Sequence, residues 1–305
     1  MLEPISPFRL DLTVWTLRRR PDNLIDRWDR QTYRRVLAED GNPFEIAVTQ
    51  FDESGMARLR VTTTNKMISP DRRAYITAMV GRLLGIHVDL MDFYRLGERD
   101  ELLASPVDQF RGSKPPRFPT YFETLVNAIA CQQFTLTVGI RLLNRLAEAY
   151  GPALRTEEGI FHAFPRPQDL AYADIEEIRA LGFSYQKARY MTGLARAIID
   201  QQFNLEEIEL LDDKKAANRL CSLKGVGRWT AEYFLLRGLG RTHIFPGDDV
   251  GARNHLQRWL GLSGPMTYDE VRDASMRWNG YGGLVYFHLL LKSLVEKGII
   301  SNFPP

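Results

Sequence analysis

The chain has 305 residues, a formal net charge of +2, 44% hydrophobic residues and 26% charged residues. This composition is typical of a folded globular protein and argues against a disordered or fibrous one. The length is sufficient for two or three units with cores of their own. The first twelve residues form no apolar run, and no stretch approaches the roughly 18 apolar residues of a membrane span. We therefore expect a cytoplasmic protein (nucleoid-associated in a bacterium) with no membrane partner.

The chain contains only two cysteines, Cys131 and Cys221. Two are too few for a disulfide framework, a four-cysteine zinc site or a four-cysteine iron–sulfur cluster. We expect both to be buried thiols in a reducing compartment. No cofactor is expected to take part in catalysis.

The first third of the chain shows the alternation of half-buried strands. Apolar and polar residues alternate over residues 8–17, 44–49 and 57–62, which predicts three strands. Residues 70–84 have helical spacing, and Ser69 followed by Pro70 is typical of a helix start. An antiparallel sheet covered by helices is therefore predicted.

Residues 109–120 contain three prolines, one glycine and three cations, a composition typical of a crossing between units. Beyond it the chain shows helical spacing with short connections. The predicted helices cover residues 122–150, 171–181, 185–201, 214–223, 229–236 and 250–260. The predicted class is α+β, with a mixed N-terminal domain over residues 1–112 and a helical core over residues 113–305.

Residues 220–233 read LCSLKGVGRWTAEY and predict two short helices joined by a tight turn. Gly225 suits the left-handed conformation that ends a helix. Gly227 leaves room for a group to approach the backbone, and Val226 is expected to point inward. The second helix then begins with free N–H groups, which with the helix dipole form an anion site.

A proline–glycine loop follows, with two aspartates and a predicted helix start at residues 244–253. An aspartate in this place is commonly an N-cap, and we assign that role mainly to Asp248. The chemical role is assigned to Asp249. Arg253, four residues later, could pair with Asp249 on one helical face or bind a phosphate.

The combination Leu-x-Gly-Val-Gly-x-x-Thr-Ala, with the aspartate loop after it, resembles the helix-hairpin-helix DNA glycosylases. The resemblance is strongest to the 3-methyladenine DNA glycosylase II family. It implies that the hairpin binds a DNA phosphate through its backbone. The DNA-binding positions it implies are Gln132, Gln133, Gly225, Val226, Gly227, Arg228, Thr230 and Arg253. It also implies a sodium or potassium ion on the carbonyls of Cys221, Leu223 and Val226.

In that family a carboxylate beside the anomeric carbon stabilises the oxocarbenium character that develops as the N-glycosidic bond breaks. It can also orient or deprotonate the attacking water. The position that matches here is Asp249. Family members that also cleave the strand have a Schiff-base lysine where this chain has Trp229, so water is expected to be the nucleophile and no lyase activity is expected.

The resemblance also indicates a base pocket lined by Trp229, Tyr233 and Tyr281, the last in place of a family tryptophan. Core packing is an equal alternative for Tyr233. The passage around residues 128–135 resembles the helix–turn that fills the duplex after a nucleotide is flipped out. The filling residue falls on Gln133, with Gln132 supporting it. Polar residues that merely end a helix would look the same.

The predicted function is that of a monomeric, monofunctional DNA glycosylase acting on double-stranded DNA with alkylated purines such as 3-methyladenine and 7-methylguanine. A local excess of three positive charges over residues 224–258 is consistent with an anionic partner. One alternative is a glycosylase for oxidised or deaminated purines. Another is a non-catalytic helix-hairpin-helix module, which would leave the aspartate loop unexplained.

Overall fold

The computed structural model describes residues 1–53, 55–64, 69–278 and 280–300. Its N-terminal part is an antiparallel sheet of four strands in the order β1-β2-β3-β4. The strands are β1 (Arg27–Trp28), β2 (Thr32–Glu39), β3 (Asn42–Glu53) and β4 (Met56–Thr63). Strands β3 and β4 confirm the predictions for residues 44–49 and 57–62. Strand β2 was not predicted.

One face of the sheet is mostly buried. Tyr33 pairs with Val48 and Leu37 with Phe44 across β2 and β3, and these side chains lie in one apolar cluster. Helix α2 (Pro70–Leu84) covers this face through Val80 and other apolar residues. Its predicted start is confirmed, because the Ser69 hydroxyl accepts a hydrogen bond from the Arg72 backbone.

The strand predicted over residues 8–17 is wrong, because this segment forms helix α1 (Leu10–Arg18). Leu10, Val14 and Leu17 follow helical spacing and are buried in the sheet's cluster. Thr13 and Thr16, on other faces, are buried as well. A helix that is covered on several faces loses the clear 3.6-residue period, so its sequence also satisfied an alternating pattern.

The rest of the chain is mainly helical, and the predicted α+β class is confirmed. Two helices, α3 (Met91–Arg99) and α4 (Glu101–Gln109), precede the crossing, and α5 (Tyr121–Cys131) and α6 (Leu136–Tyr150) follow it. Strands β5 (Ala153–Thr156) and β6 (Gly159–His162) form a small hairpin. The later helices are α7 (Pro167–Leu170), α8 (Ile175–Ala180), α9 (Tyr185–Ile199), α10 (Asp213–Cys221), α11 (Arg228–Arg237), α12 (Val250–Trp259), α13 (Tyr268–Met276) and α14 (Gly282–Glu296).

The predicted helix over residues 171–181 is shorter than expected. Helix α7 ends at Leu170, before this range, and a turn leads from it into α8. Asp174 caps α8 by accepting from the backbone of Glu176 and Glu177. The other predicted helices agree with the structure within a few residues, apart from the turn between α5 and α6. Among the described residues, no helix is both long enough and apolar enough to cross a membrane.

Apolar packing continues across the crossing at residues 109–120. Phe118, Ala128 and Tyr233 pack in the same cluster as the sheet and α1, so the helical part closes the N-terminal core. The boundary proposed at residue 112 stays a prediction. The expectation of two buried thiols is wrong for Cys221, which is exposed, and Cys131 is partly buried.

Candidate active site

The segment 220–233, here called the hairpin, has the predicted geometry. Gly225 has a φ of +86°, and a Cβ atom there would lie 2.3 Å from the ring of Tyr190. Val226 is buried, as predicted. Gly227 caps α11 without any side-chain hydrogen bond to the helix, and a Cβ atom on it would meet nothing within 4 Å. The turn therefore presents backbone N–H groups at a helix N-terminus to open space, which suits an anion.

The Asp249 carboxylate lies at the start of α12 and has a different partner on each oxygen. Its Oδ1 accepts from the Ala252 backbone at 2.9 Å and caps the helix. Its Oδ2 accepts from the Tyr286 hydroxyl at 2.9 Å and from the Trp229 indole at 3.3 Å. Residues on three helices thus fix one half-buried carboxylate next to the hairpin. Each carboxylate oxygen has about two acceptor sites, so Oδ1 retains one for a further donor.

The N-cap assignment made from the sequence is wrong, because Asp249 caps α12 and Asp248 does not. Asp248 forms a bidentate ion pair with Arg228, with N–O distances of 2.6 and 3.0 Å. The Arg228 guanidinium also stacks on the ring of Tyr268 at 3.6 Å. Any DNA contact by the Arg228 side chain would have to compete with this pair.

Glu232, one turn after Arg228 on α11, holds the loop that carries Asp249. One carboxylate oxygen accepts from the Gly247 backbone at 3.2 Å, and the other accepts from the Tyr268 hydroxyl at 2.5 Å. Burial raises the pKa of the Glu232 carboxyl. Burial and the Glu232 carboxylate together raise the pKa of Tyr268 to about 12. Both roles were missed from the sequence: Glu232 lies within the hairpin segment but nothing local indicates its partners, and Tyr268 belongs to no recognisable motif.

Trp229 and Tyr233 form an aromatic pair with ring centroids 5.4 Å apart. Trp229 is partly exposed, whereas Tyr233 is only 3% exposed and lies behind it. The Tyr233 hydroxyl accepts from the buried Arg19 at 2.9 Å, and its ring lies 5.7 Å from the Arg237 guanidinium. The core-packing alternative therefore describes Tyr233 well, because the electron-rich face of its ring already interacts with the buried Arg237 guanidinium.

Two further tyrosines lie on α14 or at its start. Tyr281, predicted for the base pocket, is partly buried and packs against Phe93 at 5.6 Å. Tyr286 was missed, because it lies within a mostly apolar helix and its sequence gives no local signal. Burial, and next the charge of Asp249, raise the pKa of Tyr286 well above its ordinary value. Its hydroxyl therefore stays protonated and donates to the carboxylate.

Residues 131–135, here called the wedge turn, connect α5 to α6. Gln132 donates through Nε2 to the Gly225 carbonyl at 2.8 Å and to the Thr230 hydroxyl at 2.9 Å. Gln133 is exposed with a φ of +56°. The buried Lys187 ammonium donates to the carbonyls of Ala130 and Gln132 at 3.0 and 2.5 Å. The predicted wedge is thus presented to solvent by a turn tied to the hairpin.

The remaining residues predicted to contact DNA differ in whether their side chains are available. Thr230 is buried and its hydroxyl accepts a hydrogen bond from Gln132, so its side chain is not available to DNA. Arg253 does not pair with Asp249. Its side chain forms no hydrogen bond or ion pair with the part of the chain that the structure describes. Fewer cations over residues 224–258 are free to bind an anion than the sequence count suggested, because Arg237 is fully buried and Arg241 pairs with Asp213.

The carbonyls proposed for a monovalent cation lie at the end of α10 and in the turn. The Leu223 carbonyl accepts from the Val226 backbone at 3.1 Å. Among the described residues, no donor reaches the carbonyls of Cys221 and Val226. Free carbonyl oxygens at the negative end of a helix fit the chemistry of a hard monovalent cation.

Comparisons with known proteins agree with this geometry. Residues 126–279, just over half of the chain, match the family model described as HhH-GPD superfamily base excision DNA repair protein. The DNA-3-methyladenine glycosylase of Bacillus subtilis (strain 168) is 26% identical over 218 residues, which are 72% of each chain. DNA-3-methyladenine glycosylase 2 of Escherichia coli (strain K12) is 31% identical over 178 residues, 58% of this chain and 60% of that protein.

Among solved structures, the 3-methyladenine DNA-glycosylase from Archaeoglobus fulgidus superposes with a TM-score of 0.82 over 98% of both chains, at 24% identity. This likeness confirms the fold over nearly the whole chain, including the N-terminal sheet. The family model covers the hairpin, the wedge turn and Asp249, and the resemblance stated from the sequence is confirmed. The chain belongs to the HhH-GPD superfamily of base excision DNA repair proteins.

Proposed function

We propose that this protein is a DNA glycosylase that hydrolyses the N-glycosidic bond of alkylated purines in double-stranded DNA, without strand cleavage. The observation that carries the proposal is the Asp249 carboxylate, which is half-buried and held by Tyr286, Trp229 and the α12 backbone. It lies directly beside a hairpin with free backbone N–H groups. The names of the relatives reported above are consistent with the proposed substrate class.

In the proposed reaction the bond between the anomeric carbon and the base nitrogen breaks, and its electron pair leaves with the base. Asp249 stabilises the positive charge that develops on the sugar. Water then attacks the anomeric carbon, and its proton passes to the carboxylate. Because the hydrogen bonds to Asp249 exist before DNA binds, little reorganisation is needed in the transition state.

An alkylated purine is a suitable leaving group for this site. Alkylation at N3 or N7 makes the base cationic, so it departs as a neutral molecule without a general acid. The partly exposed ring of Trp229 can stack on such a base, and a cation–π contact stabilises it by roughly 0.5–2 kcal/mol. Tyr233 contributes less to this preference than the sequence suggested, since Arg237 already lies 5.7 Å from its ring.

Binding of DNA would use both the hairpin and the wedge turn. The N–H groups at the start of α11 would hold a phosphate, with a sodium or potassium ion on the Cys221, Leu223 and Val226 carbonyls supporting the turn. Gln133 would enter the duplex where the damaged nucleotide has been flipped out. The protein is proposed to act as a monomer.

The variant Asp249→Asn tests the catalytic assignment, with Asp248→Asn as its matched control. We expect Asp249→Asn to lower single-turnover excision of 3-methyladenine at least about a hundredfold, with DNA affinity retained. Asp248→Asn breaks only the pair with Arg228 and should keep most of the activity. An inactive Asp248→Asn beside an active Asp249→Asn would move the catalytic role by one residue.

Borohydride trapping tests the absence of lyase activity. With Trp229 in the position of the Schiff-base lysine, no covalent protein–DNA adduct should form during turnover.

A panel of matched duplexes carrying 3-methyladenine, 7-methylguanine, hypoxanthine and 8-oxoguanine tests the substrate class. Faster release of 8-oxoguanine than of either methylated purine would favour a glycosylase for oxidised purines, and no excision at all would favour the non-catalytic module.

A further inference from the structure

An open cleft of about 430 Å³ lies beyond the wedge turn and is lined mainly by basic and polar side chains. Three separate segments build it: the residues after α1, the first half of α6, and the residues after α14. The lining residues are Arg20, Pro21, Asp22, Thr137, Arg141, Lys297 and Ile299. No sequence motif indicates this cleft, because its cations are far apart in the chain.

The positive charges of the cleft are only partly compensated. Arg141 pairs with Asp22 at 2.9 Å. Arg20 donates to the Thr137 hydroxyl at 3.2 Å and to a backbone carbonyl, but to no carboxylate. The Lys297 ammonium forms no hydrogen bond or ion pair with any residue that the structure describes. Burial is the main cause of the lowered pKa of Lys297, and the neighbouring charge of Arg20 lowers this pKa further.

Further basic groups connect this cleft to the catalytic carboxylate. The charge of Arg258, on α12, also lowers the pKa of Lys297. His255, on the same helix, contacts Arg258 at 2.8 Å and approaches Glu296 to 3.9 Å. Around the cleft, the cations Arg20, Arg141, Arg258 and Lys297 therefore outnumber the carboxylates Asp22 and Glu296. Arg258 lies in the last turn of α12 and Asp249 caps the same helix, so one helix joins these basic groups to the active site.

The wedge turn is attached to the hairpin at one end and continues at the other end into α6, which lines the cleft. On one side, Gln132 is bound to the hairpin through the Gly225 carbonyl. On the other side, Thr137 lies in the first turn of α6 and lines the cleft. A duplex that receives Gln133 at the wedge turn would therefore pass close to the cleft, because Thr137, in the first turn of α6, follows Gln133 closely in the chain.

We infer that this cleft is a second binding site for the DNA backbone, which holds phosphates on the far side of the wedge turn from the hairpin. The inference rests on the proposed function. The cleft is open and its cations come from three segments, as suits a chain of phosphates with one charge per about 3.4 Å of each strand. Such contacts fix the position of the duplex without reading its sequence.

The experiment measures the affinity of the full-length protein for a 20-base-pair duplex with a tetrahydrofuran abasic-site analogue, at 50 to 200 mM salt. The double variant Lys297→Gln/Arg141→Gln should bind more weakly than the wild type. Between 50 and 200 mM salt the affinity falls, and for each phosphate contact that is lost this fall should be about threefold smaller.

Asp22→Asn frees Arg141 and should bind DNA more tightly, a result that misfolding cannot produce. Arg58→Gln, on β4 and paired with Glu3 and Glu53, is the matched control and should match the wild type.

Two asymmetric duplexes make the test directional, with the analogue placed close to one end or close to the other. The double variant should weaken the binding of the duplex that extends over the cleft and leave the other unchanged. An equal effect on both duplexes, or no effect on either, would overturn the second site. Gly227→Asp in the hairpin distinguishes the two proposals: if it weakens binding while the cleft variants do not, only the cleft inference fails. If neither region matters for DNA affinity, the proposed function fails as well.

Discussion

The hairpin and the wedge turn lie against each other, but different interactions hold them. The hairpin depends on its own backbone, with a left-handed Gly225 and an inward-pointing Val226. The wedge turn depends on side chains distant in sequence: Lys187 binds two of its carbonyls, and Gln132 joins it to the hairpin. The conformation of the hairpin can therefore be predicted from its own residues, whereas the contacts that support the wedge turn cannot.

Substitutions in the two segments should have different consequences. Changes in the hairpin should act on folding and DNA affinity, because the turn is part of the core and presents the phosphate site. Changes at the supports of the wedge turn should act mainly on excision, because they alter how the flipped state is held.

The largest effect is expected for Gly225→Ala. The new Cβ atom would lie 2.3 Å from the Tyr190 ring in a backbone conformation with positive φ, so strain and overpacking should lower the free energy of unfolding by about 2–5 kcal/mol. Urea unfolding measures this loss. Gly227→Ala is the control, because its Cβ atom meets nothing, and it should change stability by less than about 1 kcal/mol. Equal losses in both variants would contradict the role given to Gly225.

The next effect is on the pH dependence of stability, through Lys187. Burial lowers its pKa to about 8, while an unfolded lysine titrates near 10.5. Between these values unfolding takes up a proton, so this group raises the free energy of unfolding as pH rises, by about 1–3 kcal/mol. Urea midpoints of the wild type and of Lys187→Met, measured from pH 7.5 to 10.5, should diverge. Parallel curves would mean that Lys187 is not buried in solution.

A smaller effect is expected on the activity of the same Lys187→Met variant. It loses two charge-assisted hydrogen bonds to the wedge turn, and we expect single-turnover excision to fall about tenfold or somewhat more. Affinity for undamaged DNA should stay within a few-fold, since the hairpin is intact. Lys215→Met, at an exposed position on α10, is the control. A parallel loss of excision and of affinity would show that the two segments act as one unit.

The smallest effect is expected for Gly227→Asp. An aspartate at this open position should leave the fold intact but repel a phosphate. Affinity should fall about equally for all sequences, and the slope of log affinity against log salt should become shallower by about 0.9. Fluorescence anisotropy over a salt series checks both quantities. Unchanged affinity in a folded variant would reduce the hairpin to a structural turn.

The parts of the molecule that could be predicted from the sequence are those with local rules. Turn glycines, a proline-initiated helix and alternating strands give signals within a few residues, and the hairpin, α2, β3 and β4 were predicted correctly. Helix α1 was mistaken for a strand because burial on several faces removes its period. Tyr286 and Glu232 were missed because their roles depend on helices that meet only in the folded chain. Of the two adjacent aspartates, the wrong one was predicted to cap the helix, since a shift of one residue changes which side chain reaches the helix.

The double attachment of Asp249 has a consequence for how this protein could change over evolutionary time. Serine or threonine at position 249 could accept from the Ala252 backbone as the carboxylate does. Either could therefore keep α12 in place and preserve the fold. Neither carries the negative charge that the proposed chemistry needs. Selection for a stable fold alone would not retain the aspartate, so only selection for excision would. A descendant could thus lose the activity by one substitution and persist as a folded protein that still binds DNA.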